Sequence, residues 1–280
     1  MALRLGIGGL RLGAAAEAVA DAYDPATEAL LATGRYDAAP TTALKNLIDV
    51  TIKGLKADGV WAKGDCMYVR PVHESKLACQ NWIKNAHNST LHGATLPVFT
   101  AKQGFKGNGS SSYINNHYTP VTEAVNFGLT AMSCVVIYHL IPTTTGRMLL
   151  GANNNGATKY KFFIMFYTAG TERAYLNYVT TYNDAGNLTD GLHLGYTKNG
   201  TSTQAYQNGV AAGAAQVKLT DPALVDCSVF ELCYSELNVG TSFNDGRIMF
   251  SWYGGFLSAA EMLALYNRIA YFIANVGATF

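Results

Sequence analysis

The closest approach of this sequence to catalytic chemistry is the segment Glu231-Leu-Cys-Tyr-Ser-Glu236, which holds two carboxylates. Paired acids are what glycoside hydrolysis uses, one as acid/base and one as nucleophile or water activator. The competing reading makes Glu231 and Glu236 solvent-facing residues of a late strand. Six histidines are present (His73, His87, His92, His117, His139 and His193), none in a His-x-x-x-His spacing, and no Cys-x-x-Cys accompanies them. No zinc site is therefore signalled. His87 and His92 lie in a polar segment and could approach each other as surface loop residues. Ser133 and His139 lack the Gly-x-Ser-x-Gly elbow that would expose a serine nucleophile. Asn153 to Asn155 and Asn183-Asp184 offer calcium a single carboxylate among amides, and turn formation explains them better. No cofactor, metal or catalytic residue is expected.

Cysteine and tyrosine supply the remaining candidates. Five cysteines is an odd count, so at least one thiol is free or bonded between chains. Cys66 and Cys79 flank a short strand-to-helix turn and form the leading intrachain disulfide candidate. Cys227 and Cys233 are the leading interchain candidates; on one regular strand they would lie about 20 Å apart and could not bridge each other. The alternative is five buried thiols acting as small apolar residues. Among the 17 tyrosines, Tyr175, Tyr178 and Tyr182 stand out as aromatics for a sugar or an interface. Ordinary core packing with the hydroxyl at the rim is the competing reading.

The elements that must position these residues belong to a chain of 280 residues, enough for one large domain. Charged residues make up only 14%, against about 25% in ordinary soluble domains. Twenty Lys and Arg nearly cancel nineteen Asp and Glu. That balance argues against nucleic-acid binding by phosphate neutralisation and against a polybasic membrane contact. The longest apolar runs are about half of the ~20 residues a membrane span needs, so no insertion is expected. The beginning, Met1-Ala-Leu-Arg-Leu-Gly-Ile-Gly-Gly-Leu-Arg-Leu, has glycines and an interrupting Arg11. It reads as an arm that becomes ordered by lying on something else rather than as a signal peptide.

Ala14 to Tyr23 and Pro25 to Leu31 are short helix candidates. Residues 41–57 form a clear amphipathic helix, with Leu44, Leu47, Ile48, Ile52 and Leu55 at spacings of three and four. Glu74 to Ile83 suggests another helix. From about residue 96 the period becomes two. Candidate strands run over 96–101, 111–115, 127–139, 146–152, 160–168, 173–180, 191–197, 202–207, 210–215, 228–236 and 246–253. Asn208-Gly209 is a hairpin signal, because both residues accept the positive φ of a type I′ turn. Ser258-Ala-Ala-Glu261 is a capping box that opens a final helix. The expected fold is mainly β, an antiparallel jelly-roll sandwich. Residues 1–40 would be an extended attachment arm and 41–95 a helical subdomain. Residues 96–280 would form the jelly roll with its C-terminal capping helix.

Several segments carry a resemblance when taken in order. They are Gly54-Leu-Lys-Ala-Asp-Gly-Val-Trp-Ala-Lys63, His73-Glu-Ser-Lys-Leu-Ala-Cys-Gln-Asn-Trp82, Gly107-Asn-Gly-Ser-Ser-Ser-Tyr113 and the run from Gly246 to Tyr266. Over about residues 41–280 the chain resembles a family of tailed-bacteriophage virion proteins with a concanavalin A-like, laminin-G-like jelly roll. Asn108 stands where that family usually has Asp, and Cys66 and Cys79 stand where it has apolar residues. Glycosidases on this fold carry Glu-x-Asp-x-x-Glu, and Cys233 replaces the middle Asp here. The resemblance implies a non-enzymatic structural component of the virion, in a tail, neck or collar. It would assemble in the host cytoplasm and then persist outside. Other virion structural proteins would be held through residues 1–40, and a homotrimer is expected by analogy with phage appendages. The alternative is a lectin-like module that binds a host-surface glycan.

Overall fold

The structure, a computed structural model, describes residues 22–140, 142–143, 146–154, 161–168, 171–176, 183–184, 193–217 and 223–278. Helices come from both ends of the chain. Asp24 caps α1 (Pro25–Leu30), with Pro25 at its first position, where a missing N–H costs nothing. Thr41 caps α2 (Thr42–Ala57), the expected amphipathic helix. α3 (Ser75–Ala78) is one turn only. The longer helix expected from Glu74 to Ile83 does not form, because Asn81 competes for the backbone. Its amide accepts from the Met67 and Ile83 N–H groups and donates to Ala86 O. α4 (Pro120–Glu123) is another single turn, and α5 (Ala259–Asn275) opens on the expected capping box.

Seventeen strands follow in chain order among the described residues. The first five are β1 (Gly64–Val69), β2 (Thr90–His92), β3 (Val98–Thr100), β4 (Gly104–Lys106) and β5 (Tyr113–Asn115). Then come β6 (Ala131–Leu140), β7 (Arg147–Asn153), β8 (Lys161–Thr168), β9 (Thr171–Leu176) and β10 (Asn183–Asp184). They are followed by β11 (His193–Asn199), β12 (Ser202–Gln207), β13 (Val210–Val217) and β14 (Phe230–Glu231). The last are β15 (Tyr234–Glu236), β16 (Val239–Thr241) and β17 (Arg247–Gly254). One sheet runs β13-β12-β11-β6-β17-β4-β3, with β1 also on β17. The other runs β10-β9-β8-β7-β14-β5-β2, with β15 and β16 attached beside β7. All pairs are antiparallel except β15 on β7. The fold is the expected jelly-roll-like β-sandwich.

Core side chains meet between the sheets. Phe162 of one sheet packs edge-on against Tyr253 of the other, and the Tyr138 hydroxyl donates across to Leu149 O. Asn208 and Gly209 take φ of 49° and 76°, so the β12–β13 hairpin turns as its sequence requires. Helix α5 lays Met262, Leu265, Ile269, Phe272 and Ile273 on the sandwich and on α2. Gly54 lets the two helices meet: a Cβ there would lie 2.6 Å from the Arg268 guanidinium, which reaches Asp58 at 2.7 Å.

Two expected boundaries change. Residues 41–95 are not a separate helical subdomain, because β1 pairs with β17 in the middle of one sheet and β2 with β5 in the other. Residues 22–40 are not an extended arm either. Thr27 and Leu30 are buried, and Arg35 donates to Gln80 Oε1 and Asn81 O, both at 3.0 Å. Residues 1–21 of that arm, with most of the Ala14–Tyr23 helix candidate, lie outside the described residues. No helix among the described residues is long and apolar enough to cross a membrane.

Candidate functional site

The acidic segment does not form one strand. Leu232 takes a φ of 65°, in the left-handed region, and breaks the ladder between β14 and β15. Glu231 points between the sheets instead of into solvent, and it is 0% exposed. Arg70 leaves the end of β1 from the opposite sheet and is also 0% exposed. Its Nη2 donates to Glu231 Oε1 at 2.9 Å and Oε2 at 2.8 Å, and its Nη1 donates to Ala78 O at 2.7 Å. Asn116 Nδ2 at 2.8 Å and the Ser251 hydroxyl at 2.6 Å complete the shell of Oε1. Ser89 joins Asn116 to the guanidinium, and the Tyr68 ring lies 4.5 Å beneath it. Burial works against the Arg70 charge, but the Glu231 carboxylate overrides it and holds the guanidinium above its usual pKa.

This constellation ties the two sheets together. Breaking such a pair by removing one partner costs about 3–5 kcal/mol, because the other charge is left buried. The arrangement leaves Glu231 no access to a sugar. Glu236 stands partly exposed on β15, so the two acids do not share an accessible cleft. Sequence reading missed Arg70. Its signal was a lone cation inside the apolar run from Cys66 to Val72, which requires a buried carboxylate somewhere in the chain.

A second buried acid, Asp65 on β1, gathers the chain between α4 and β6. It accepts from the Tyr118 hydroxyl at 2.9 Å and from the backbone N–H groups of Val125, Asn126 and Phe127 at 2.9–3.2 Å. Asn108 organises the Gly-Asn-Gly-Ser-Ser-Ser loop. Its Oδ1 accepts from the N–H groups of Ser110, Ser111 and Ser112 at 2.9–3.0 Å. An amide oxygen therefore performs the turn-forming role, and no charge is needed.

All five cysteines are free and buried. The intrachain bridge expected between Cys66 and Cys79 is absent: Cys66 Sγ accepts from Asn81 Nδ2 at 3.6 Å. Cys227 and Cys233, the interchain candidates, are 1% and 0% exposed, so neither thiol reaches another chain without local opening. Burial pushes the Cys79 thiol up to about 11, which keeps it protonated near neutrality. Tyr175 is half-buried against the core with the Lys161 ammonium 5.3 Å from its ring centroid. Tyr178 and Tyr182 lie outside the described residues.

The accessible polar cluster is elsewhere, at the edge formed by β2 and β5. The Thr90 hydroxyl lies 2.7 Å from both His92 Nε2 and His117 Nε2. His87 donates through Nδ1 to His117 O at 2.6 Å and lies 3.7 Å from Glu123. The His92 ring stacks on Tyr113 at 5.0 Å, and Tyr113 stacks on Phe230 at 4.7 Å. Burial, with His92 and His87 nearby, holds His117 below its usual pKa against the pull of Glu123. His87 and His92, placed by the sequence in one polar segment that could bring them together, are linked through His117. Among the described residues, no group of three or more His, Cys, Asp or Glu has metal-holding geometry.

The sequence matches no protein-family model and no curated protein. Solved structures share its fold. A mutant of Trypanosoma rangeli sialidase displaying trans-sialidase activity aligns at 13% identity and a TM-score of 0.55, over 80% of this chain and 39% of that one. The T. rangeli sialidase in complex with 2,3-difluoro-KDN aligns at 12% and 0.51, over 79% and 39%. Domain 4 of AbnA, an extracellular arabinanase from Geobacillus stearothermophilus, in complex with arabinotriose, aligns at 13% and 0.51, over 72% and 98%. The chain spans about two-fifths of the length of the sialidases it matches. At these identities the likeness concerns the fold alone.

Proposed function

We propose that the protein is a non-enzymatic structural component of a tailed-phage particle, built on a lectin-like sandwich. The non-enzymatic part is carried by Glu231: both carboxylate oxygens are engaged by Arg70 in a site with no solvent access. A glycosidase acid must reach the glycosidic oxygen, and its partner must face the same sugar. The order of motifs from Gly54 to Tyr266 supports the placement in a tail, neck or collar. Within the particle the protein is a homo-oligomer, threefold by analogy with phage appendages. Mass spectrometry and antibody labelling of purified particles test the placement: the protein is expected at fixed stoichiometry, and its absence from intact particles would overturn it. Polysaccharide hydrolysis that disappears in Glu236→Gln would overturn the non-enzymatic part.

A second reading, glycan binding, is favoured by the half-exposed row of His92 and Tyr113 beside Thr90 and His117. A ring stacked on the apolar face of a sugar, with hydroxyl and imidazole groups beside it, is a chemically suitable platform. Glycan-array binding lost in Tyr113→Ala would favour this role.

A further inference from the structure

An open groove of about 560 Å³ separates the first turns of α2 from the last turn of α5. Its walls include Leu44, Leu47 and Val50 on α2, and Tyr271 and Val276 on α5, with His73 and Lys102 at one side. Val50 and Tyr271 are 50% and 53% exposed, so facing helices present large apolar side chains to the same open space. His73 Nε2 donates to Ala38 O at 2.6 Å, which leaves Nδ1 as an acceptor. That Nδ1 is buried and has no partner among the described residues. A groove of this size lies in the range of ligand pockets, roughly 300–1,000 Å³, and accommodates a few side chains of an extended segment.

The chain itself leads to this groove. The Tyr23 hydroxyl donates to Asn46 Oδ1 at 2.9 Å, and Asn46 lines the groove. Ala22 O accepts from Lys53 Nζ at 3.4 Å, about one helical turn beyond Val50. Residues preceding Ala22 therefore start at the flank of the groove. Between them and residue 1 lies the apolar, glycine-rich segment Leu3-Arg-Leu-Gly-Ile-Gly-Gly-Leu-Arg-Leu12. Residues 13–21 extend up to about 30 Å at 3.3–3.6 Å each, whereas Ala43 to Val50 spans only about 10 Å of helix. Tethering through so short a linker keeps the segment at an effective concentration of about millimolar.

We propose that the α2/α5 groove is the docking site for residues 3–12 of the same chain. Leu3, Leu5, Ile7, Leu10 and Leu12 supply the apolar surface that Leu47, Val50 and Tyr271 lack, and the intervening glycines allow close backbone approach. The segment itself is apolar and basic, with Arg4 and Arg11 as its only charged residues.

The test uses the full chain with a photo-crosslinking phenylalanine derivative in place of Val50, an exposed position that tolerates it. Irradiation of dilute protein followed by digestion and mass spectrometry is expected to join position 50 to residues 3–12. The double variant Leu5→Asp/Leu10→Asp should cut that yield by about tenfold, because it removes the apolar burial that seats the segment. The urea-unfolding midpoint of the double variant, compared with that of the parent, separates loss of docking from loss of the domain. Crosslinks that fall elsewhere, or that ignore the double variant, would overturn the proposal. Mixing isotopically heavy and light protein decides the source: heavy–light products would assign the groove to a neighbouring copy and overturn docking within one chain.

Discussion

The centre of the sandwich and the rim at β2 and β5 each bring together polar groups from distant parts of the sequence, yet they differ in kind. At the centre, Glu231 has both oxygens occupied and no exposure. At the rim, His92 and His117 share one hydroxyl and face solvent on one side. Partners at the centre come from both sheets, so its geometry is inseparable from sheet packing. Partners at the rim sit on adjacent strands and their connections. The centre therefore serves the fold, and the rim stays open to solvent. An acidic residue type alone did not distinguish these outcomes; access did.

The largest expected effect breaks the centre. Glu231→Ala leaves a buried guanidinium unpaired and should lower stability by about 3–5 kcal/mol. Urea unfolding measures it. Replacing the pair together, as Arg70→Met with Glu231→Leu, should recover much of the loss, because the desolvation cost disappears with the charges. His92→Ala at the rim should stay within about 1 kcal/mol of the parent. Equal losses in Glu231→Ala and His92→Ala would end the distinction.

Asp65→Ala tests whether a second buried acid behaves like the first. It strands the Tyr118 hydroxyl and three backbone donors, each costing roughly 1–3 kcal/mol if left unpaired, with partial relief from water entering the loop. A net loss of about 3 kcal/mol is expected from the same scale. Hydrogen exchange should quicken at Val125 to Phe127 before it does in β6 or β17.

A smaller effect is expected at the outer layer. Ser258→Ala removes the N-cap of α5 and should cost about 1 kcal/mol. Thermal unfolding by circular dichroism reads it. A loss as large as that of Glu231→Ala would mean that α5, rather than the interior, sets the stability of the domain.

The smallest effect concerns pH and belongs to the rim. His117 is held below its usual pKa in the fold, so the unfolded chain binds the proton more readily. Stability should rise as pH increases through the interval from the depressed folded value to the ordinary histidine value, about 6.5. Below that interval the contribution is lost. The neighbours that face His117 are His87, His92 and Glu123, and His117→Asn should flatten the profile while leaving the centre intact. An unchanged profile would show that the rim carries no proton linkage.

Local sequence rules accounted for the elements that rest on neighbours in the chain. Helix α2 followed from its apolar spacing, α5 from Ser258 and Glu261, and the β12–β13 hairpin from Asn208-Gly209. The sandwich class followed from the many period-two segments between residues 96 and 253. Elements that local rules misjudged have partners outside their own segment or an unexpected backbone turn. Leu232 interrupts the 228–236 strand at a positive φ that its residue type does not announce. Asn81 ends α3 by bonding to β1, and β1 itself occupies a sheet position among strands from the other end of the chain.

The sequence by itself determined where helices and hairpins begin, because capping, periodicity and turn chemistry act over a few residues. Tertiary structure alone decided what Glu231 does. Its cation, Arg70, is 161 residues away in the chain and arrives only when β1 inserts beside β17. Phe230 and Glu231 are both buried, so no alternation of burial could reveal which one enters the space between the sheets. Cysteine accessibility follows the same logic: spacing allowed bridges, and in this fold all five thiols are free and buried. Whether a reactive side chain becomes a site or a strut depends on solvent access and on partners far along the chain, and both exist only once the sheets have closed.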